Sequence, residues 1–448
     1  MSVVSVADLR PTSTGAGAHV APAPGPVAGP LPATVDIAVV GGGCSGLAAA
    51  VRLAAVPGAR SVLVLEGRSQ PDPRSWCSWD DGSDPLPEAR SASWTRWEVR
   101  TDRGTSVGSD PGHPYVLVRA ADRRAAAERR LAARGGAGDV DGVRILDGAP
   151  VRAVSARGAG EPGVAVHSTL GTVRAGRVLD ARGPRCPEHV DVGRVLLHQR
   201  FVGRWITADR PVFDTATVTL MDFTGQDTPA AVRFVYVLPV SPTEALVEST
   251  LFTPDAADPF DHEDHVARYV QRRWGLRPDE WRTVETERGC IPMTDTPARP
   301  DARWPAAAAV VGTTRPSSGY GFARSNRHSA VVAQNLAAGT PVPPFADGWR
   351  TRFLDAVFLR FLRDRPEQAA EAFRRLVALP GPLVVRFLSE RSTPADDLRI
   401  VLALQKPPFL AALARTVTDA VARCATAVLA RTVAGAVARS VRAARSVR

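Results

Sequence analysis

The sequence predicts an α/β protein: a Rossmann-like dinucleotide-binding domain, an antiparallel β-sheet layer and a helical C-terminal region. Three observations carry this expectation. Residues 35–54 read as strand, glycine turn and helix; residues 198–252 alternate between apolar and polar positions; from about residue 346 onward the pattern is helical.

The first element is the stretch VDIAVVGGGCSGLAAAVRLA. The β-rich run Val35 to Val40 leads into Gly41, Gly42, Gly43, Cys44, Ser45 and Gly46, and Leu47 to Val56 continues as an Ala-rich helix. Gly41 permits the tight turn, Gly43 lets backbone approach a pyrophosphate, and Gly46 lets helix pack on strand, with the helix N-terminus facing the phosphates. A second strand, Ser61 to Leu65, ends in Glu66, 20 residues beyond Gly46, where an acid accepts the hydrogen bonds of an adenosine ribose. An acid there repels the 2′-phosphate of NADP, which leaves FAD or NAD. The position of the motif at the start of a long chain with room for an inserted substrate domain favours FAD. The fold class is therefore a FAD-binding domain of the glutathione-reductase/hydroxylase type.

The following elements read in order. GRSQPDPRSWCSWDDG is a Pro- and Trp-rich loop, followed by an irregular Trp-bearing region to about residue 112. Val118 to Arg134 reads as an Arg-rich helix, and Arg119 at its start is expected to reach the cofactor pyrophosphate. Val143 to Ser155, Gly163 to Ser168 and Gly171 to Asp180 read as strands, and RVLDARG (177–183) returns to the nucleotide-binding sheet. AAAAVVGTTRPSSGYGFARS (306–325) is again strand, small-residue loop and helix start, suited to completing the flavin site through Gly312, Ser318 and Gly319. The expected organisation is a disordered extension over 1–33, a discontinuous FAD-binding domain over 34–200 and 285–345, a β-sheet substrate domain over 201–284, and a helical region over 346–448.

Composition narrows the partners. The formal net charge is +10, and Lys406 is the one lysine among 56 basic residues. Arginines are spread through the chain without interleaved aromatics or a recognition motif, so nucleic acid is not expected. The five cysteines are far apart with no CxxC spacing, and His198 and Cys290 lack partners spaced for a metal or a nucleophilic triad, so no metal is expected. The first 33 residues lack the basic start and apolar core of a signal peptide, and no uncharged apolar run reaches about 18 residues. Near the end, Arg415, Arg423, Arg431 and Arg439 recur every eight residues on an Ala, Val and Leu background. Such a basic amphipathic helix suits an anionic bilayer surface or a helix packed on the protein. The expected location is the cytoplasm, peripherally at the inner face of the cell membrane.

The stretch MDFTGQDTPAAVRFVYVLPVSPTEALVESTLF (221–252) resembles the central segment of lycopene cyclases of the flavin-dependent carotenoid-cyclase family. GGGCSGLA (41–48), SWCSW (75–79), HQRFVGR (198–204), GCIPMTD (289–295), RPSSGYGFA (315–323) and FLSERSTPADDLRIVLAL (387–404) agree in order, so the resemblance covers residues 35 to about 410. It implies conversion of the ψ ends of lycopene, or of a related acyclic carotenoid, into β-ionone rings. It also implies reduced FAD as cofactor, NAD(P)H as reductant and no net redox change. In the family the acid at the position of Glu248 is essential; a second acid usually follows it, where this chain has Ser249.

Ring closure requires an acid, stabilisation of a cation and a dry cavity. Glu248 lies on a strand in apolar context, where desolvation raises a carboxyl pKa. Trp76, Trp79, Phe234 and Tyr236 are candidates for aromatic surface along a polyene tunnel, and Tyr320 for the cavity near the flavin. Asp222 either orients a partner or caps a turn. A flavin hydroxylase or a prenyl reductase would share the fold, but here Thr313, not the Asp of a "GD" signature, follows Gly312. A catalytically silent carotenoid-binding flavoprotein is the alternative of another class.

Overall fold

The computed structural model of the chain describes residues 30–56, 61–133, 142–156, 163–183, 190–191, 195–225, 231–294, 299–300, 308–311 and 314–422. Residues 1–29, Gly312, Arg423, Arg431 and Arg439 lie outside them. In chain order the strands begin with β1 (Thr34–Val40), β2 (Val62–Leu65), β3 (Ser75–Trp79), β4 (Ala92–Trp94), β5 (Arg96–Thr101), β6 (Gly104–Ser109) and β7 (Tyr115–Arg119). Next come β8 (Val143–Leu146), β9 (Val151–Ala156), β10 (Val164–Ser168), β11 (Gly171–Asp180), β12 (Val190–Asp191) and β13 (Val195–Ala208). The last are β14 (Thr217–Asp222), β15 (Val232–Pro239), β16 (Glu244–Thr253), β17 (Trp281–Thr294), β18 (Arg299–Pro300) and β19 (Ala308–Val310). The helices are α1 (Cys44–Leu53), α2 (Ala120–Ala132), α3 (His262–Trp274), α4 (Phe322–Ala337), α5 (Trp349–Asp364), α6 (Ala369–Val377), α7 (Gly381–Leu388) and α8 (Pro394–Ala403). Residues 406–422 are also helical.

The nucleotide-type sheet has the order β8-β2-β1-β11-β10-β9, with β19 added in parallel to β11. Strands β8, β2, β1 and β11 run parallel, whereas β10 and β9 are antiparallel. The central strands are covered on both sides, which explains their continuous apolar runs. Ile37, Val39 and Val64 pack with Ala49 of α1 and with Val332 and Leu336 of α4 on one face; Ala38, Val40 and Leu63 pack with Val166 and Val178 on the other. The expected return of residues 177–183 is the parallel pairing of β11 with β1, Val40 opposite Asp180.

The second sheet has the order β17-β13-β16-β15-β14-β5-β6, antiparallel except where β14 meets β5. Its members β5 and β6 come from the region that reads as irregular in sequence, where Trp and Gly interrupt the alternation. Helix α3, also unsignalled by the alternation of this layer, covers one face: Val266, Tyr269 and Val270 pack against Val235, Val237 and Val247. Its ends do carry local signals, Asp261 as N-cap accepting from the backbone N–H of Glu263 and Asp264, and Gly275 in the left-handed conformation at the C-cap. The opposite face of the sheet looks toward the small sheet β3-β7-β4 and the C-terminal helices. Among the described residues no helix is long and apolar enough to cross a membrane.

The C-terminal helices are seated on this sheet at a contact that tolerates no side chain. A Cβ at Gly381, the first residue of α7, would lie 1.8 Å from the backbone oxygen of Ser109 on β6. Gly381→Ala therefore forces the helix off the sheet and is expected to cost about 1–3 kcal/mol in urea denaturation. Gly348→Ala, where a Cβ meets nothing within 4 Å, is expected to change stability by no more than about 0.5 kcal/mol.

Candidate active site

One cavity of about 650 Å³ runs from the glycine turn of β1-α1 to the cavity-facing side of the second sheet and ends among α5, α6 and α7. Gly41, Gly43 and Glu66 line one end, Ser318, Gly319 and Tyr320 the middle, and Trp76, Phe234, Tyr236 and Glu248 the wall beyond. The structure thus brings together residues that the sequence assigned separately to cofactor and substrate.

The glycine end fits a dinucleotide. Gly41 has φ +101°, and its Cβ would press on the Ala181 carbonyl at 3.2 Å. Gly46 does not line the cavity; its Cβ would lie 1.9 Å from the Gly41 oxygen, so it keeps the turn against the helix. Gly43 faces open space, and α1 begins there without a side-chain cap or an acid in its first turn, leaving its N–H groups for an anion. Glu66 Oε2 accepts from the Gly42 backbone N–H at 2.7 Å, holding the carboxylate beside the turn. Further along, Gln199 Oε1 and Ser318 Oγ are buried cavity-lining atoms without a hydrogen-bond partner. Gly319, at φ +71°, approaches Gln199 so closely that a Cβ would lie 2.4 Å from Oε1. Orphaned polar atoms of this kind suit the polar edge of a flavin ring.

Three expected site residues sit elsewhere. Arg119 caps α2, but its guanidinium lies 4.4 Å over the Trp205 ring and pairs with Glu285, not with the glycine turn. Asp222 is fully buried outside the cavity because β14 shifts register between Thr219 and Asp222. Its carboxylate pairs with Arg100 at 3.2 Å and accepts from Tyr269 Oη and Thr224 Oγ1 at 2.9 and 2.7 Å, so it caps the strand end and ties it to α3. Trp79 is buried behind the wall, its ring 4.8 Å from that of Tyr115 and 5.6 Å from that of Tyr320. Trp76 and Trp79 are three apart on one strand and so face opposite sides.

The catalytic candidate stands in a row across four strands. Gly203 of β13 is opposite Glu248 of β16 on one side and Glu287 of β17 on the other; Tyr236 of β15 follows beyond Glu248. Directly opposed residues share a face, and Glu287, Glu248 and Tyr236 all line the cavity. What surface Glu248 retains opens into the cavity, and burial raises its carboxyl pKa to about 8, with the Glu287 carboxylate adding to the shift. Thr250 Oγ1 donates to Glu248 Oε1 at 2.8 Å and opposes it. Glu287 was not legible as a site residue, although it lies two positions before the Gly289 of GCIPMTD and so on the same strand face.

Beyond Tyr236 a chain of phenols continues. Tyr236 Oη donates to Tyr115 Oη at 2.9 Å, and Tyr115 Oη lies 3.2 Å from Tyr320 Oη. Burial raises the pKa of all three, which keeps them neutral. Apolar rings, among them Phe234, Phe252, Phe358 and Phe373, enclose the far end.

A family described as lycopene cyclase protein matches residues 36–415. The chain belongs to that family. It is accordingly a carotenoid cyclase, an enzyme of carotenoid biosynthesis. A lycopene beta-cyclase of Paracoccus sp. (strain N81106 / MBIC 01143) is 29% identical over 418 residues, 84% of this chain and 95% of the relative. A geranylgeranyl bacteriochlorophyll reductase-like protein from Thermoplasma acidophilum matches the fold with TM-score 0.55 at 15% identity, over 86% of this chain and 99% of that one. A flavin-dependent monooxygenase solved with FAD and substrate matches with TM-score 0.51 at 16% identity, over 86% and 72%. The expected fold class, a dinucleotide-binding sheet with an antiparallel layer and C-terminal helices, is the one observed.

The raised pKa of Glu248 sets a pH signature. Between the ordinary glutamate value and about 8 the folded state keeps a proton that the unfolded state has lost, so stability falls as pH rises through this window. Glu248→Gln removes that term. Relative to wild type, the variant is expected to be more stable at pH 8 than at pH 5 in urea denaturation, and an equal difference at both values would refute the assignment.

Proposed function

We propose that this carotenoid cyclase converts the ψ ends of lycopene, or of a related acyclic carotenoid, into β-ionone rings by acid catalysis without net redox change. The observation that carries the reading is a buried carboxyl, Glu248, whose pKa burial raises, on the wall of a cavity that joins a dinucleotide-type turn to an aromatic, apolar end. In this reading Glu248 gives its proton to the terminal double bond, the neighbouring carbon becomes cationic, and the next double bond closes on it. A proton lost from the ring then restores neutrality. The apolar walls keep water from the cation, and the face of Tyr236, next to Glu248 in the row, adds cation–π stabilisation. Gly41, Gly43 and Glu66 would hold the adenosine and pyrophosphate of FAD, and Gln199 and Ser318 the flavin edge. Reduced FAD held there, with NAD(P)H as its reductant, would supply negative charge to stabilise the developing cation, and no hydride would enter the product.

We also propose that the C-terminal helices rest on a lipid surface, from which so apolar a substrate would be drawn. The helices bounding the cavity's apolar end belong to the region whose outer side exposes Trp349 (74%), Phe353, Leu398, Val401, Leu402 and Leu410. Exposed Arg352, Arg399 and Lys406 accompany them.

Two measurements test these readings. In lycopene-accumulating bacteria the chain is expected to yield cyclic pigments of unchanged mass, and Glu248→Gln to lower their formation by about 100-fold or more. Pigments heavier by oxygen or hydrogen would overturn the isomerase reading. The pair Trp349→Ser and Phe353→Ser is expected to weaken co-sedimentation with phosphatidylglycerol vesicles about tenfold; unchanged sedimentation would remove the lipid contact from this face.

A further inference from the structure

Protonating one end of a double-bond system and removing a proton from the ring are different tasks at different atoms, and a single carboxyl group is fixed at one place. The sheet carries a second carboxyl at the matching place. We propose that Glu287 is the base that removes the ring proton, so that Glu248 and Glu287 form an acid–base pair facing each other across Gly203; the proposal rests on the cyclisation reading above.

The pairing register makes the geometry. Gly203 is opposed to Glu248 on one side and to Glu287 on the other, which sets the two Cα atoms two strand spacings, about 10 Å, apart. Gly203 is buried and lets the side chains of its neighbours close over it. A Cβ there would lie 3.0 Å from both Glu287 Cγ and Leu246 Cδ1, and 3.2 Å from Glu287 Oε1, so this oxygen leans over the glycine toward the gap. Glu248, Leu246 and Glu287 line one wall of the cavity, so a ring held against that wall meets both carboxyl groups.

The two groups are held in different states. Glu287 Oε2 accepts the Ser75 backbone N–H at 2.7 Å, and the Ser75 side chain acts in the same direction, both favouring the carboxylate. Glu248 has no backbone donor; Thr250 Oγ1 engages its Oε1 and leaves Oε2 to carry the proton. Burial raises both carboxyl groups, and the Ser75 N–H opposes the rise at Glu287, an asymmetry that favours the proton on Glu248 and the charge on Glu287. The groups facing Glu287 among the described residues are the Ser75 N–H and hydroxyl and the Cys77 thiol of β3, Asp72 before that strand, Glu285 on its own strand and Glu248. Asp72 is paired with Arg74 and Arg68, and Glu285 with Arg119, so their charges are compensated.

The step balances without a redox partner. The O–H bond of Glu248 breaks as the inner CH carbon of the terminal alkene takes the proton and leaves the cation on the dimethyl carbon, to which the next double bond supplies the pair for the ring C–C bond. The C–H bond beside the ring cation then breaks, its pair becoming the ring double bond and its proton passing to Glu287 Oε1. After product leaves, that proton returns to Glu248. Because the choice of C–H bond fixes the ring type, the position of Glu287 selects the double-bond isomer.

The test compares wild type, Glu248→Gln, Glu287→Gln and Glu287→Asp for ring type, rate against pH and flavin content. Wild type is expected to show a bell, falling at low pH as Glu287 is protonated and at high pH as Glu248 ionises. Glu287→Gln, retaining flavin, is expected to lose at least about tenfold in rate, to lose the low-pH limb, and to give a changed proportion of ring isomers. Glu287→Asp is expected to be slower than wild type yet to keep that limb. If Glu287→Gln does not fold, the Asp variant decides: an unchanged rate overturns the proposal. Wild-type rate, ring type and both limbs in a folded Gln variant overturn it likewise. If wild type itself forms no cyclic product, the cyclisation reading fails first, whatever the variants do.

Discussion

The structure turns on the burial of two carboxyl groups that, among the described residues, have no ion-pair partner. The chain holds 56 basic residues, yet desolvation dominates at both Glu248 and Glu287, and no arginine is among the principal influences on either. The arginines nearby are engaged elsewhere: Arg74 with Asp72, Arg288 with Glu263, Arg119 with Glu285. An arginine against Glu248 would lower its pKa by favouring the charged form, and an ionised carboxylate has no proton to give. In the proposed reading, engaging these guanidinium groups with other carboxylates is what would allow Glu248 to remain an acid near neutral pH.

The same constraint explains the neighbours of Glu248 on its strand. Ser249, where relatives usually carry a second acid, faces the other side of β16 because strand side chains alternate. There its hydroxyl lies 2.9 Å from His262 Nδ1 and 2.8 Å from His265 Nδ1, in the buried seam under α3. Burial lowers both histidines to about 4, so the seam is neutral and the serine needs no countercharge. Ser249 therefore belongs to the packing of α3 on the back of the sheet, while Glu248, Thr250 and Leu246 share the opposite face. A departure adjacent in sequence to the acid is remote from it in function.

What could be read from the sequence was whatever depends on neighbours along the chain. The glycine turn and Glu66 follow one another through a single strand-helix-strand unit, and Glu248 stands out as a charge in an apolar strand. The row that places it does not have this property, since Gly203, Glu248, Glu287 and Tyr236 come from four strands and meet only through pairing. Arg119 and Asp222 were assigned by local position, and each was captured by a partner from a distant element, Trp205 and Glu285 in one case and Tyr269 in the other. Strands β5 and β6 escaped notice because Gly108 breaks the pattern, and it does so for a reason: a Cβ there would lie 2.4 Å from Trp97 Nε1.

The remaining question is how a cavity made by two sheets and a helical region keeps one shape. A buried ion pair joins the parts. Arg315, at the start of the RPSSGY loop, donates from Nη2 to Asp355 Oδ1 of α5 at 2.9 Å and from Nη1 to the Phe387 carbonyl of α7 at 2.6 Å, while Ser317 Oγ donates to the same carboxylate at 2.7 Å. Both charges are almost fully buried, so losing either partner would leave an uncompensated charge, a penalty of about 3–5 kcal/mol that makes alternative placements of these helices costly. Ser318, Gly319 and Tyr320 follow directly, with the Arg315 N–H closing the loop on the Tyr320 carbonyl at 2.7 Å. The loop that presents a polar edge to the cofactor end and a phenol to the substrate end is thus fixed to the helices that shut the apolar end. In the proposed reading, a polyene held against those helices and a cofactor held at the glycine turn would be registered to each other through this one pair.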